Sequence, residues 1–305
     1  MELLLVCSKM LEKDILKVSL SHLDALGLKE QDKPKSYQYS HTVKSIINDL
    51  SAHRELSFIS SKLFQIKISA SDYKSAIFND LYFGDIRIKE QCKNLQHLLD
   101  SQVKPAWTLV TAYYAAYFMA SDISKANGKF VTNLSEDEFK RLLSNEPLSF
   151  QDTVKVESNN PFFLSVEHGE MTGDITLIFR RSSPKPHKIA WHNFSQITDK
   201  INITDERLTY LTLLKSIISS GSSGWQTPSA VRNTWNYSQA NYFGEKGDDV
   251  GRTFSSIIRS PKSTFNWARN NNLKPSNENL AASIAYVYHT LRPSHQALIN
   301  RLKIN

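Results

Sequence analysis

Any chemistry in this sequence rests on cations and aromatic rings, because the usual nucleophile and metal patterns are missing. Nine histidines are scattered through the 305 residues (His22, His41, His53, His97, His168, His187, His192, His289 and His295), and no two stand at the spacing of a helical metal pair. His187 and His192 lie five apart near a segment that reads as a strand, without an acidic neighbour to complete a zinc site. There is no glycine-rich phosphate loop and no nucleophile elbow. The two cysteines, Cys7 and Cys92, have no partner spacing and are expected to be reduced, buried thiols. Neither a metal nor a cofactor is expected.

Three stretches could meet an anion. In Pro228-Ser-Ala-Val-Arg232-Asn233-Thr-Trp-Asn-Tyr237 an arginine, an amide and a phenol share one predicted helix. An arginine there either ties helix ends or an interface together, or faces a phosphoryl group. In the second stretch Arg180, Arg181, Lys185 and Lys188 occur without an acid, as a basic hairpin tip able to touch phosphates. Arg181 and His187 are separated there by SSPKP, whose prolines rule out a helix across the spacer and predict an exposed loop. The third, RTFSSIIRSPKSTFNWARNNNLK (252–274), interleaves Arg252, Arg259, Lys262, Arg269 and Lys274 with Phe254, Phe265 and Trp267, with no acid between. Cations bind phosphates through counterion release, and aromatic faces stack unpaired bases. Phe254 is expected in the core, and Trp267 is open to either role.

The elements that must position these groups are mostly helical. Residues 9–28 place Met10, Leu11, Ile15, Val18, Leu23 and Leu26 on one helical face ending at Gly27. A second helix is expected over 42–64, and a third from about Asp72 to Leu99, with Gly84 as a point where it could split. Residues 105–121 carry no charge, open on Pro105 and are apolar on every face, which predicts a central buried helix stopped at Gly128. It is too short and too hydroxyl-rich to span a bilayer. NLSEDEFKRLL carries a capping box, Ser135 with Glu138. FFLSVEHGEMTGDITLIFRR then reads as two strands around Gly169–Gly173, and KIAWHNF as a third. Helices are expected again at 205–219, 227–243 (Thr227 as cap, Pro228 in the first turn) and from Asn277, with Pro293 kinking or dividing the last. The flexible run SGSSG separates the first two of these. The fold class is therefore mainly α: an N-terminal helical region (1–100), then a helical bundle (101–305) with a small β-hairpin or sheet inserted at about 150–195.

TAYYAAYFMASDISKANG, with the later Arg232-Asn233 segment, resembles the HEPN superfamily, all-helical domains of prokaryotic defence and toxin–antitoxin systems, many of them metal-independent ribonucleases. The resemblance covers roughly 105–130 and 205–305. Ala112 to Ala120 match the family's Tyr-Tyr-Ala-type core helix, and Arg232 and Asn233 match the arginine and polar residue of its active motif. The family's histidine, three to five residues further on, is absent, and Tyr237, Ser238 and Gln239 stand in the allowed places. The resemblance implies a histidine acting on the ribose 2′-OH and an arginine stabilising the phosphorane. Tyrosine, with an ordinary pKa of about 10, is a poor base at neutral pH, so Arg232, Asn233 and Tyr237 would form a degenerate site. Such sites usually face each other across a dimer, which implies a homodimer or a partner subunit.

Charge adds to this picture. The segment from Arg252 onward holds eight of the 37 basic residues and one of the 30 acidic ones, so the whole net charge of +7 resides there. That asymmetry suggests an anionic partner, and equally fits a solvated face or contact with an acidic patch of another subunit. The N-terminal run MELLLV lacks a basic lead-in, so neither a secretory signal nor an anchor is expected and the chain reads as cytoplasmic. The function expected is an accessory or effector protein of a bacterial defence or toxin–antitoxin system that binds RNA and cleaves it, at most weakly, without metal. The alternative is a non-catalytic scaffold whose basic C-terminal region docks an acidic protein.

Overall fold

The structure, a computed structural model, describes residues 11–168, 173–182, 185–219, 224–270 and 273–304. Cys7, the tip of the hairpin at 169–172 and most of the SGSSG run lie outside these. The helices are α1 (Glu12–Ala25), α2 (Val43–Asn48), α3 (Ala70–Asp100), α4 (Pro105–Ala126), α5 (Glu136–Leu143), α6 (Leu148–Gln151), α7 (Pro186–Asp199), α8 (Arg207–Ile218), α9 (Pro228–Asn233), α10 (Glu245–Val250), α11 (Arg252–Ile257), α12 (Pro261–Ala268) and α13 (Asn277–Arg301). The strands are β1 (Glu55–Ser60), β2 (Leu63–Ser69), β3 (Lys129–Ser135), β4 (Asn159–His168) and β5 (Asp174–Arg181). The chain is thus mainly α with one small sheet.

The sheet is antiparallel throughout, in the order β1-β2-β5-β4-β3. It is not confined to the 150–195 stretch: 55–69 and 129–135 supply three of its strands. The helix expected over 42–64 gives way after Asn48, because Leu56, Phe58, Phe64, Ile66 and Ile68 alternate and bury one sheet face. Ile175, Leu177 and Phe179 of β5 bury the same face as expected, with Phe179 stacked on Phe64 at 4.3 Å between ring centres. KIAWHNF is not a third strand. It forms half of α7, whose apolar residues Ile189, Trp191, Phe194 and Ile197 follow helical spacing.

The helix α4, charge-free over 105–121, does stand at the centre, packed against α3, α7 and α13. The helix at 207–218 packs chiefly on α7 instead of on α4. The burial of α4 is one-sided, against the expectation of cover all round: Trp107 is 53% exposed, and Tyr114, Tyr117 and Phe118 are half-buried. Gly84 does not split α3. A Cβ there would stand 2.1 Å from Asp122 Oδ2, so glycine is what lets α3 and α4 approach. The buried Asp122 carboxylate accepts from His295 Nε2 of α13 at 3.2 Å, tying all three helices together. Pro293 lies inside α13 without ending it. The Ser135–Glu138 capping box and the Thr227 cap form as expected. Among the described residues no helix is long and apolar enough to cross a membrane.

Candidate functional site

Tyr114 and Tyr117 lie on the open side of α4, with the fully buried Tyr113 beside them, one helical turn of aromatic rings. Against it lie Arg232, from the last turn of the short α9, and His187, the second residue of α7. Pro186 occupies the first position of α7, where its missing N–H and fixed φ suit a helix start, and Lys185 before it is extended. The prolines that predicted an exposed loop therefore place His187 on a helix, half-buried, instead of leaving it in solvent.

Arg232 is 6% exposed, yet it forms no ion pair with any carboxylate among the described residues, and its Nε has no hydrogen-bond partner. Three rings surround the guanidinium: Tyr113, Tyr114 and Tyr237, with centres 5.2, 5.3 and 5.6 Å from Cζ. Such contacts stabilise a cation by about 0.5–2 kcal/mol each, and the Nε–H is left without an acceptor. Immediately after α9 the backbone widens into a π-helical turn, Thr234–Ser238, closed by Gln239 N–H donating to Thr234 at 2.9 Å. That extra residue per turn carries Tyr237 over Arg232, and such turns recur at functional sites.

His187 Nδ1 lies 2.7 Å from the Tyr113 hydroxyl, and the imidazole stacks on Tyr117 at 4.3 Å. The Trp191 indole N–H also points to the Tyr113 oxygen, at a long 3.5 Å. Burial pushes the Tyr113 hydroxyl well above its ordinary range, against the smaller opposing pull of the Trp191 N–H and the Arg232 charge, so it stays a protonated phenol. With an indole N–H approaching its oxygen, that phenol donates to Nδ1, and the neutral imidazole then carries its proton on Nε2. Burial and, second, the charge of Arg232 push His187 down to about 4, so it is neutral at pH 7. A fixed cation and an imidazole N–H thus face one aromatic wall.

The sequence-predicted residues separate into three places. Arg232 and Tyr237 meet, while Asn233 is exposed and its side chain bonds nothing among the described residues. Arg180 and Arg181 are not at a hairpin tip. They end β5 at the far side from its turn, where Arg180 donates to Ser165 Oγ at 3.0 Å and Arg181 to Asn160 Oδ1 at 3.0 Å and to the Lys155 carbonyl. Lys185 and Lys188 are exposed, and Lys188 borders a cleft of about 610 Å³ that Trp191, Thr227 and Ala230 also line, on the flank of the Arg232 cluster.

The C-terminal set lies on α11, α12 and the segment after them. Arg252 pairs with Asp249 at 2.7 Å, and Arg259 donates to the Leu99 carbonyl at 2.8 Å. Lys262, Arg269 and Lys274 are exposed. Trp267 is half-buried, donating to Asn279 Oδ1 at 3.1 Å and meeting Trp225 edge-on, while Phe254 is in the core as expected. Sequence reasoning missed His187 and Tyr113. The usable signal was Pro186, which marks a helix start as readily as a loop. Among the described residues no three His, Cys, Asp or Glu side chains gather as a metal would need. Comparison with known protein families, curated proteins and solved structures found no match for this chain.

Proposed function

We propose that this chain is a HEPN-like RNA-binding protein of a bacterial defence or toxin–antitoxin system, with weak cleaving ability at a site built from Arg232, His187 and Tyr113. The observation that carries the reading is a buried guanidinium with no carboxylate, beside a neutral histidine. A buried cation without a counterion is costly, and an anion such as a phosphodiester relieves that cost. In this reading His187, on another helix, takes the place of the histidine missing after Asn233, and Tyr237 is a ring over the arginine instead of a base. The helical arrangement around α4 would then be a HEPN-like bundle carrying a sheet, used as a homodimer or beside a partner subunit. Exposed Trp107 and Tyr237 give that interface apolar surface.

The chemistry follows from the two donors. Arg232 holds the phosphate and stabilises the phosphorane. The bound negative charge offsets the Arg232 field at His187 and so raises the small protonated fraction of the imidazole that can serve as an acid, burial keeping that fraction low at pH 7. The ribose 2′-oxygen attacks the adjacent phosphorus, its proton leaving to water, and the P–O5′ bond breaks as His187 Nε2 protonates the departing O5′. The products are a 2′,3′-cyclic phosphate and a 5′-hydroxyl. No side chain in the cluster is a ready base for the 2′-OH at pH 7, so the rate is low.

The test is salt-dependent binding of single-stranded RNA and product analysis with chelator present, for the wild type, Arg232→Ala and His187→Ala. Binding should weaken steeply between low and moderate salt. Arg232→Ala should weaken binding, and His187→Ala should abolish the cyclic-phosphate product. Salt-insensitive behaviour with an inert Arg232→Ala would favour the scaffold role for the basic Lys262, Arg269 and Lys274 region.

A further inference from the structure

Asn193, on the same helix as His187, is fully buried, and neither its amide nitrogen nor its carbonyl oxygen has a hydrogen-bond partner. A buried carboxamide left wholly unpaired is rare, and desolvating it costs about 1–3 kcal/mol for each unmade bond. Asn193 lines a cavity of about 200 Å³ together with Tyr117, Phe118, Pro186 and Arg87. At roughly 30 Å³ per water that is room for about six waters, the scale of one planar base. The cavity adjoins the Arg232 cluster, because Tyr117 forms part of its wall and stacks on His187. Arg87 reaches over Phe118, its Cζ 4.0 Å from the ring centre, and makes no ion pair among the described residues.

We infer that this cavity reads a guanine in the RNA whose phosphate Arg232 receives, an inference that rests on the reading above. Guanine carries two neighbouring acceptors, O6 and N7, which suit the fork of Arg87, and N1–H and N2–H donors, which suit the Asn193 carbonyl. Adenine offers an amino group where guanine has O6, so it would set donor against donor at Arg87. Uracil lacks the N7 acceptor and cannot take both Arg87 bonds. Asn193 fits this assignment because its carbonyl is unpaired, and a side-chain rotation would expose that acceptor to the base edge. The base pocket and the phosphate site then share Tyr117 and the first turns of α7, which fixes the distance between base and scissile phosphate.

The experiment measures binding of the full chain to the tetranucleotides UGUU and UAUU and to GMP. The guanine oligomer should bind about tenfold tighter than the adenine one, and tighter than GMP. Arg87→Gln, at an exposed position outside the core, should bring the two oligomers to near-equal affinity, with the larger loss falling on UGUU. Asn193→Ala should do the same wherever its thermal unfolding stays close to wild type. Equal affinity of the wild type for both oligomers overturns the inference and leaves the Arg232 reading standing. GMP binding as tightly as UGUU also overturns it, since the base would then come from a free nucleotide. Failure of the underlying reading shows separately, as oligomer binding that Arg232→Ala does not weaken.

Discussion

Replacing Arg232 with Gln removes the charge while retaining length, and two linked quantities should respond. In the wild type His187 titrates near 4, burial being the larger cause and Arg232 the second. Without the guanidinium only burial remains, so the midpoint should rise by less than half the gap to 6.5, to no higher than about 5. At pH 7 the imidazole is neutral in both proteins, and the loss of RNA affinity then reports the guanidinium alone. A charge-assisted bond contributes about 1.5–3 kcal/mol, which is roughly a 10- to 150-fold weakening. Between pH 7 and 5 the deficit should shrink, because the variant begins to gain an imidazolium while the wild-type histidine is still neutral. Proton NMR of the His187 ring gives the titration, and fluorescence anisotropy on labelled RNA gives affinity at each pH. A wild-type His187 titrating at 6.5 would refute the coupling between the two groups. An Arg232→Gln protein that binds RNA normally at pH 7 would refute the site itself.

Two further predictions concern the scaffold. Gly84→Ala forces a methyl group into the Asp122 carboxylate, which is fully buried and held by His295, so it should cost about 3 kcal/mol or more and lower the melting temperature by several degrees. Melting of Gly84→Ala at the wild-type temperature would show that the α3–α4 contact yields. Acid should destabilise the fold through His289, buried, its Nε2–H donating to the Ile258 carbonyl at 2.8 Å, and held near 4 chiefly by burial. The unfolded chain binds a proton at about pH 6.5 that the native His289 refuses until about 4, so stability should be full above 6.5 and fall as pH drops through that window. The loss amounts to about 3 kcal/mol by pH 4, and urea titrations that stay flat from pH 7 to 4 would contradict it.

Local rules in the sequence were followed closely wherever one element sufficed. Pro105 opens α4, Ser135 and Glu138 cap α5, Thr227 caps α9, and the alternation of Ile175, Leu177 and Phe179 makes β5. What escaped was decided between elements. Leu56 and Phe58 fit a helical stripe until β5 provides the sheet on which their strand lies. Gly84 reads as a breaker until Asp122 of the next helix is seen to fill the space its side chain would need. Pro186 has one meaning before a loop and another at the first position of a helix, and only the burial of Ile189, Trp191 and Phe194 selects the second. The site followed the same division. Arg232 was visible as a residue in a short motif, but its partner His187 lies 45 positions earlier and meets it only because both pack on α4.

That packing also explains why the charge-free helix is open on one side. An arginine driven into a core needs either a carboxylate or a ligand, and three tyrosine faces recover only part of its lost hydration. A carboxylate in that place would satisfy Arg232 permanently, return His187 toward its ordinary pKa and repel any phosphate that approached. Tyrosines hold the cation without neutralising it, and the Tyr113 hydroxyl, kept protonated by burial, fixes the imidazole without charging it. The aromatic run Tyr113-Tyr114 with Tyr117 therefore does more than fill the centre of the fold. It keeps a positive charge buried at the end of α9 with no carboxylate partner among the described residues, so that in the reading proposed above an incoming phosphodiester would be its counterion.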